Sequence, residues 1–273
     1  MSEAVAVLHG AFGRVCLYCM DRTMVSHAHR EGHLLFHVQG TPGEVYVDGC
    51  PVPLGPGRAV AVNPWQTHYY SQPIPGSQTL LLVLYIRPNW FWRAIGSRTF
   101  ALRFGRPSIP VTDALARLID VGAVLDREQG DPAINDWLLK LTDYCFEQSW
   151  RGADSADRFA SVHDFRLRKA VQILEQRVCE PADLDRVARE AGLSRPHFYK
   201  LFRQQVGVTP NIYLNSLRME RAIERLTATT EAVASIGLDL GFSSQASFSR
   251  FFIANGVVPP STYRRSAQIA YSK

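Results

Sequence analysis

The C-terminal half of the chain contains an internal repeat of about fifty residues. The segment 187–194 returns 49 residues later as 236–243, with small residues and glycines at matching positions. Beyond that point the offset is 50, and it pairs Phe198 with Phe248, Phe202 with Phe252, Pro210 with Pro260 and Tyr213 with Tyr263. A period of this length marks one small structural unit that is used twice. This half of the chain therefore consists of two copies of one motif, and the second copy has one extra residue in its turn.

Each copy has the spacing of two helices joined by a tight turn. In the first copy Ala188 is small enough to let the two helices cross closely, and Gly192 accepts the backbone conformation that such a turn demands. Ser194 follows as a suitable N-cap for the second helix. The matching residues of the second copy are Gly237, Gly241 and Ser243 or Ser244. The pattern predicts two helix-turn-helix units.

The second helix of each copy has an apolar face and a polar face. Phenylalanine and leucine recur at helical spacing and predict the buried face. The side chains left exposed are Arg195, Tyr199, Lys200 and Arg203 in the first copy, and Gln245, Ser249 and Arg250 in the second. Arginine and glutamine can bond base edges in the major groove, whereas serine and lysine more often contact phosphates. A solvated helix face explains one copy equally well, but two copies at nearly constant spacing favour recognition helices.

The positive charge of the chain lies in the same half. The whole chain carries a net charge of +5, with +6 in residues 160–273 and −1 in residues 1–159. A basic half joined to a near-neutral half favours a polyanionic partner, most often nucleic acid. Many domains reach this charge without such a partner, so the repeat and not the charge identifies double-stranded DNA.

Three strings around the repeat are diagnostic. They are Leu184-x2-Val187-Ala188-x3-Gly192-Leu193-Ser194, then Gly241-Phe242-Ser243-Ser244-Gln245-x2-Phe248-Ser249-Arg250-x-Phe252, and finally Val258-Pro259-Pro260-x2-Tyr263-Arg264. They resemble the DNA-binding domain of the AraC/XylS family of bacterial transcription regulators. The resemblance implies a long helix at 210–226 between two helix-turn-helix units, whose recognition helices enter successive major-groove segments. It assigns base contact to Arg195, Pro196, Tyr199, Lys200, Gln245, Ala246, Ser249 and Arg250.

Three residues depart from the family pattern. Gly237 stands where alanine is usual, which lowers helix propensity by up to about 1 kcal/mol. Pro196 cannot donate a hydrogen bond to a base or a phosphate. Ala246 offers at most an apolar contact, for example to a thymine methyl group. These departures affect the sequence preference on DNA more than the mode of docking.

The N-terminal part of the chain consists of short apolar segments separated by turn residues. The segments are 34–36, 44–47, 59–62 and 80–86. Strands at intervals of about ten residues with Gly and Pro between them predict an antiparallel β-sandwich or β-barrel. After Pro110 the spacing becomes helical, at 112–127 and 134–148, before a small polar stretch. The predicted organisation is a barrel at 1–110, a helical connector or dimerisation region at 111–150, a linker at 151–161 and an all-α tandem helix-turn-helix domain at 162–273.

Four histidines of this part are candidate pocket residues. In a strand, His27 and His29 would lie on one face because side chains alternate, and His33 and His68 could complete the set. Their spacing, together with Gly49, Gly55-Pro56-Gly57 and Asn63-Pro64, resembles the two cupin motifs. AraC-type regulators often carry such a barrel as their effector-binding domain. The predicted effector pocket is His27, His29, His33, Trp65 and His68.

The same histidines are the candidate metal ligands. His33 stands where metal-binding cupins commonly have a glutamate, and many barrels of AraC-type regulators have lost the metal. We therefore expect no cofactor, with His27, His29, His33 and His68 as the ligands if an ion is bound. A histidine-rich set favours zinc, nickel or copper over magnesium or calcium. Hydrogen-bonded pocket or core histidines are the alternative.

The predicted function is that of a ligand-responsive transcription regulator. Its expected partners are promoter DNA, a small-molecule effector and, by resemblance only, RNA polymerase and a second copy of the chain. The family resemblance also favours activation of transcription over repression. A cytoplasmic location is expected, because the sequence has no apolar run of 18 residues, no secretory leader pattern and five scattered cysteines.

The competing class is an enzyme, namely a metal-dependent cupin oxygenase or isomerase with an appended helical domain. The missing motif glutamate and the DNA-reading pattern argue against it. The sequence also has no glycine-rich phosphate loop and no Ser/His/Asp set with a recognisable local motif. We therefore expect no enzymatic activity.

Overall fold

The computed structural model describes most of the chain. The described residues are 2–72, 74–88, 90–91, 102–119, 121–125, 132–151, 164–180, 183–256 and 258–269. The chain divides into two compact units, one formed by residues 1–26, 30–157 and 261–273 and the other by residues 27–29 and 158–260. None of the described helices combines the length and the apolar character that crossing a membrane requires.

The first unit is an antiparallel β domain, as predicted. Its described strands are β1 Glu3–Gly10, β2 Gly13–Met20, β3 Gly32–Gly40, β4 Gly43–Val47, β5 Cys50–Leu54, β6 Arg58–Val62, β7 His68–Ser71, β8 Thr79–Ile86 and β9 Ser108–Pro110. They form a six-stranded sheet in the order β1-β2-β8-β3-β6-β9 and a three-stranded sheet in the order β5-β4-β7. The described strands thus make two sheets rather than one closed barrel. A turn bridged by Gly55 and Arg58 carries the chain from one sheet to the other.

One face of the six-stranded sheet packs against helices. These are α1 Asp113–Leu118, α2 Gly122–Leu125 and α3 Pro132–Trp150. Leu138, Leu141 and Cys145 of α3 recur at helical spacing, and they share one apolar core with alternate residues of β8 such as Leu82 and Leu84. The helix predicted at 112–127 is instead two short helices, because Ile119, the residue after α1, lies outside helical backbone geometry.

The second unit is helical. Its helices are α4 Phe165–Gln176, α5 Leu184–Glu190, α6 Arg195–Val206, α7 Pro210–Ala228, α8 Val233–Asp239 and α9 Gln245–Gly256, and α10 Pro260–Ile269 follows along the chain. Side chains of Asp164, Asp183 and Thr209 accept backbone N–H bonds at the starts of α4, α5 and α7. The long helix expected at 210–226 is α7, which ends two residues later.

One expectation about the histidine segment is wrong. His27 and His29 do not lie in a strand, because the chain between Met20 and Gly32 crosses from β2 to β3 without forming a ladder. This segment begins with the polar residues Asp21, Arg22 and Thr23 and lacks a continuous run of strand-forming residues. The side-chain alternation of a strand therefore does not determine where the rings of His27 and His29 lie.

The predicted linker at 151–161 lies outside the described residues, apart from Arg151. The exact bounds of the four predicted segments stay a prediction.

Candidate functional site

Both helix-turn-helix units contain a glycine with left-handed backbone geometry in the turn. Residues 191–194 join α5 to α6, and residues 240–244 join α8 to α9, so the second turn has the expected extra residue. Gly192 has a φ of +75° and Gly241 a φ of +83°. Side chains rarely adopt this geometry, which explains the glycine in each copy of the repeat.

The helices α6 and α9 each bury one aromatic face. Phe198 and Phe202 of α6 and Phe248 and Phe252 of α9 are fully buried. Of the residues predicted to meet DNA, seven are exposed, namely Arg195, Pro196, Lys200, Arg203, Gln245, Ala246 and Arg250, and two are half-buried, Tyr199 and Ser249. The fold thus leaves polar groups on the outer faces of two matching helices, and their contact with DNA remains a prediction.

Arg195 makes contacts within its own helix-turn-helix unit. Its Nη1 donates a 2.9 Å hydrogen bond to Asp185 Oδ2 on α5, and its guanidinium lies 5.7 Å from the centroid of the Tyr199 ring. The hydroxyl of Tyr199 accepts a 3.2 Å bond from Asn211 Nδ2. An exposed ion pair contributes about 1 kcal/mol or less. Arg195 can therefore exchange Asp185 for a base or a phosphate at little cost.

The glycine that departs from the family pattern has a packing reason. A Cβ atom built on Gly237 of α8 would lie 2.7 Å from Cβ of Phe248 on α9. Side-chain atoms do not approach so closely without displacement. The second helix-turn-helix unit therefore packs α8 and α9 more closely than an alanine at position 237 would allow.

Arg218 joins three parts of the helical unit. It lies on α7 and is buried, and it donates hydrogen bonds to the carbonyl oxygens of Val178 at 3.2 Å and Glu180 at 2.7 Å. Its guanidinium is 5.5 Å from the centroid of the Phe242 ring, which belongs to the second turn. Burial lowers the pKa of Arg218 below its ordinary value. The long helix, the segment after α4 and the second turn thus meet at one charged side chain.

Three of the predicted pocket histidines are buried polar residues. They are His27, His29 and His68. Nδ1 of His68 is 2.8 Å from the carbonyl oxygen of Gln66. Because a carbonyl only accepts, Nδ1 carries the proton and Nε2 of the neutral ring carries the lone pair. Metal-binding histidines are commonly oriented by such a bond.

The other two predicted pocket residues have different surroundings. The ring of His33 lies 4.7 Å from the ring of His68 and 4.1 Å from the ring of Tyr85, centroid to centroid. His33 is buried on β3. Trp65 lies in the turn between β6 and β7 with a φ of +64°, a geometry uncommon for tryptophan.

The sequence did not single out three polar residues that the structure places beside these sites. His197 is exposed on α6, next to Pro196. Arg14 and Tyr85 are buried cross-strand neighbours on β2 and β8. Helical spacing could have found His197, but the positions of Arg14 and Tyr85 depend on a strand pairing that no local pattern gives.

Two families match the chain. Residues 187–266 match a helix-turn-helix domain, and residues 20–85 match a cupin domain. The regulatory protein PocR of Salmonella typhimurium is 32% identical over 41% of this chain and 37% of its own length. The chain spans about a third of the length of the first relatives it matches. The probable transcriptional regulator LumQ of Photobacterium leiognathi is 23% identical over 90% of this chain and 94% of LumQ.

The solved structures support the same two-domain fold. ToxT of Vibrio cholerae, bound to an unsaturated fatty acid, has a TM-score of 0.58 at 14% identity and covers 92% of this chain and 94% of its own. This likeness shows the fold alone. Together with the two domain matches, it supports a cupin domain followed by a helix-turn-helix domain. The chain therefore combines a cupin domain with an AraC-type helix-turn-helix domain, and it is similar to transcriptional regulators that carry such domains.

Proposed function

We propose that the chain binds double-stranded promoter DNA sequence-specifically, with α6 and α9 as its two recognition helices, in response to a small-molecule effector. The observation that carries the proposal is the pair of matching helices whose aromatic faces are buried and whose polar faces are exposed. The excess of positive charge in residues 160–273 supports it. Activation through RNA polymerase and assembly into a homodimer belong to the same proposal and rest on family resemblance.

The exposed residues have different roles in DNA recognition. Arg195, Gln245 and Arg250 have the groups that read base edges, whereas Lys200 and Ser249 suit phosphates. Pro196 and Ala246 add apolar surface without donors. Specificity therefore depends mainly on the three side chains that can bond bases in a bidentate manner.

The effector is proposed to bind in the N-terminal β domain, near His27, His29, His33, Trp65 and His68. ToxT, whose structure has a similar fold, is bound to an unsaturated fatty acid. Effector binding shifts DNA affinity only if the effector binds the two functional states with different affinities.

A second candidate is metal binding, and the four buried histidines His27, His29, His33 and His68 favour it. Imidazoles suit zinc, nickel or copper. Elemental analysis of the purified protein shows whether an ion is bound, and a gel shift shows whether the protein binds DNA. Together they distinguish a DNA-binding regulator from a metal-dependent enzyme. We expect DNA binding whether or not an ion is present, whereas stoichiometric iron without any DNA binding would show an enzyme instead.

The direct test of DNA reading uses Arg250→Ala. Duplexes are selected from a randomised pool by the full chain, and affinity is measured by fluorescence anisotropy for the selected duplex and for a scrambled one. We expect a loss of about 1–3 kcal/mol on the selected duplex and a smaller loss on the scrambled one, because a base contact is removed. Arg221→Ala, at an exposed arginine of α7, is the matched control. Equal losses on both duplexes would mean that Arg250 contacts only phosphate.

A further inference from the structure

The C-terminal helix α10 belongs by sequence to the repeat. Pro260 and Tyr263 of α10 are the counterparts of Pro210 and Tyr213, which lie in the first turn of α7. Tyr213 is bound within the helical unit, where its hydroxyl donates a 2.9 Å hydrogen bond to Glu175 Oε1 on α4. The helix that follows the first recognition helix is thus anchored to its own unit.

The described contacts of α10 include two polar contacts with the first strand of the β domain, and residues 261–269 are part of the same compact unit as that domain. The hydroxyl of Tyr263 lies 3.4 Å from Nε2 of His9 on β1, and the two rings meet edge to face with centroids 6.0 Å apart. One turn further along α10, Oγ of Ser266 donates a hydrogen bond to the carbonyl oxygen of Ala4, which is also on β1. By its contacts, α10 therefore belongs to the β domain.

Tyr263 lies on the face of the six-stranded sheet that is turned away from α1, α2 and α3. His9, its partner, is paired with Arg14 of β2, and directly paired residues project to the same face. The next residues along the two strands, Leu8 and Val15, belong to the apolar core that also contains α3. Side chains alternate along a strand, so His9 and Arg14 occupy the opposite face. On this face, α10 covers the end of the sheet formed by β1 and β2.

The docked helix buries a cysteine of that face. Cys16 is two residues beyond Arg14 on β2 and is 0% exposed, and Tyr263 is 1% exposed. Burial raises the pKa of the Cys16 thiol to about 11, and a hydrogen bond with the side chain of Tyr263 is among the weaker effects that oppose this rise. The thiol is thus within reach of Tyr263, and movement of α10 away from the sheet would uncover it.

The docking surface of α10 is small. Besides Tyr263, its described buried residues are Pro260, Ser266 and Ala267, which contribute little apolar area. The contact with His9 is long for a hydrogen bond. Segments with few buried apolar contacts open at a low cost in free energy. Docking of α10 on β1 is therefore suited to reversal.

The same helix is tethered to the second recognition helix. Three residues separate the end of α9 at Gly256 from the start of α10 at Pro260. The four peptide links between these two residues span at most about 14 Å. As long as α10 stays on the sheet, α9 is confined to that distance from it. Two equivalent copies read successive grooves in the same way only if α10, like α7, moves with the helical unit.

We infer that α10 is an autoinhibitory helix, which docks on β1 through Tyr263 and Ser266 in the free protein and leaves the sheet when α9 enters the DNA groove. The inference rests on the proposed function and deepens it by naming the element that couples the β domain to DNA affinity. The apparent affinity for DNA is then reduced to the fraction of molecules in which α10 is undocked. An effector that binds the β domain more tightly after α10 has left raises the DNA affinity by the same coupling.

Two substitutions outside residues 160–260 weaken the docking. His9→Ala removes the partner of Tyr263, and Ser266→Ala removes the hydroxyl that binds β1. Affinity for the selected duplex is measured by fluorescence anisotropy on the full chain. We expect about three- to tenfold tighter DNA binding in each variant, because each removes one hydrogen bond from the docked state alone. Val5→Ala, at an exposed residue of β1, is the control and should bind as the natural chain does. Unchanged or weaker binding in both variants would overturn the inference.

Labelling of Cys16 shows whether α10 leaves the sheet. The full chain is treated with N-ethylmaleimide, with and without a saturating amount of the selected duplex, and the modified peptides are identified by mass spectrometry. We expect faster labelling of Cys16 in the DNA complex, and also in His9→Ala without DNA. Cys145, which is buried in α3 on the other side of the sheet, is the internal control and should stay slow. Equal labelling rates of Cys16 with and without DNA would overturn the inference.

The outcome can be separated from that of the proposed function. If the natural chain binds the selected and the scrambled duplex equally, the proposed function fails, whereas faster Cys16 labelling in Ser266→Ala still shows that α10 was docked. Specific DNA binding that neither variant strengthens rejects the autoinhibitory role alone. Rapid labelling of Cys145 in His9→Ala would mean that this variant has lost its fold, and Ser266→Ala then decides.

Discussion

At Gly237, the packing of two helices and the intrinsic helix propensity favour different residues. By propensity alone, glycine inside α8 is a defect, and alanine should stabilise the helix by up to about 1 kcal/mol. The close approach of Phe248 reverses this expectation, since a Cβ would lie 2.7 Å from the Cβ of that ring residue.

We predict that Gly237→Ala destabilises the protein. Overpacking in a filled core costs about 1–3 kcal/mol, which exceeds the gain in propensity. Urea unfolding followed by circular dichroism measures the effect. Gly57→Ala, at a turn glycine with no atom within 4 Å of its added Cβ, is the matched control and should change little. A more stable Gly237→Ala variant would show that the two helices are free to separate.

Sequence patterns predicted individual residues well where helical spacing decides their position. The exposure of Arg195, Gln245 and Arg250 follows from the buried aromatic face on the same helices. Arg14 and Tyr85 could not be found in this way. Each lies in an apolar strand pattern, and only the pairing of β2 with β8 brings them together.

Arg218 sets the arrangement of elements in the helical unit. Its two bonds reach the backbone carbonyls of Val178 and Glu180, and no other side chain of α7 is described as bonding them. A Cβ on Gly241 would lie 2.9 Å from the carbonyl oxygen of Cys179, so the second turn packs on the same segment.

We predict that Arg218→Ala lowers the stability of the helical unit by about 1.5–3 kcal/mol, because it leaves buried carbonyls without a charged donor. It should also weaken DNA binding more than the exposed control Arg221→Ala does, since it disturbs the spacing of α6 and α9. Thermal unfolding and anisotropy on the selected duplex measure the two effects. An unchanged stability and an unchanged DNA affinity would show that Arg218 does not hold these helices in place.

An ion-pair cluster links α4 and α5. Hydrogen bonds from Arg177 first, and from Arg186 second, lower the pKa of the Glu190 carboxyl from 4.5 to about 2. A carboxyl whose pKa is depressed in the folded state stabilises that state above the unfolded pKa, and the contribution is lost as the pH falls. The loss is expected between pH 4.5 and about 2.

Glu190→Gln is accordingly predicted to flatten the pH dependence of stability in that window. Urea midpoints at a series of pH values measure the slope. Arg177→Gln should reproduce most of the change, and the double variant should add little to either one. A slope that is unaltered in Glu190→Gln would show that the cluster does not form in solution.

At the scale of the whole molecule, the order of a β domain before a tandem helix-turn-helix domain could be predicted from the sequence. Turn residues at intervals of about ten and a repeat at nearly constant spacing are strong signals because they fix element type and length. The separation of the strands into two sheets and the irregular path through His27 and His29 could not be predicted. Both depend on contacts between residues far apart in the chain, which a local pattern does not contain.

The central claim is that one chain reads two successive major-groove segments with α6 and α9. Methylation interference on the selected duplex, with the natural chain and with Arg195→Ala and Arg250→Ala, tests it most directly. We predict two interfering segments on one face of the DNA, about one helical turn or 10 base pairs apart, each weakened by one of the two substitutions. A single interfering segment, or two that neither substitution changes, would contradict the account.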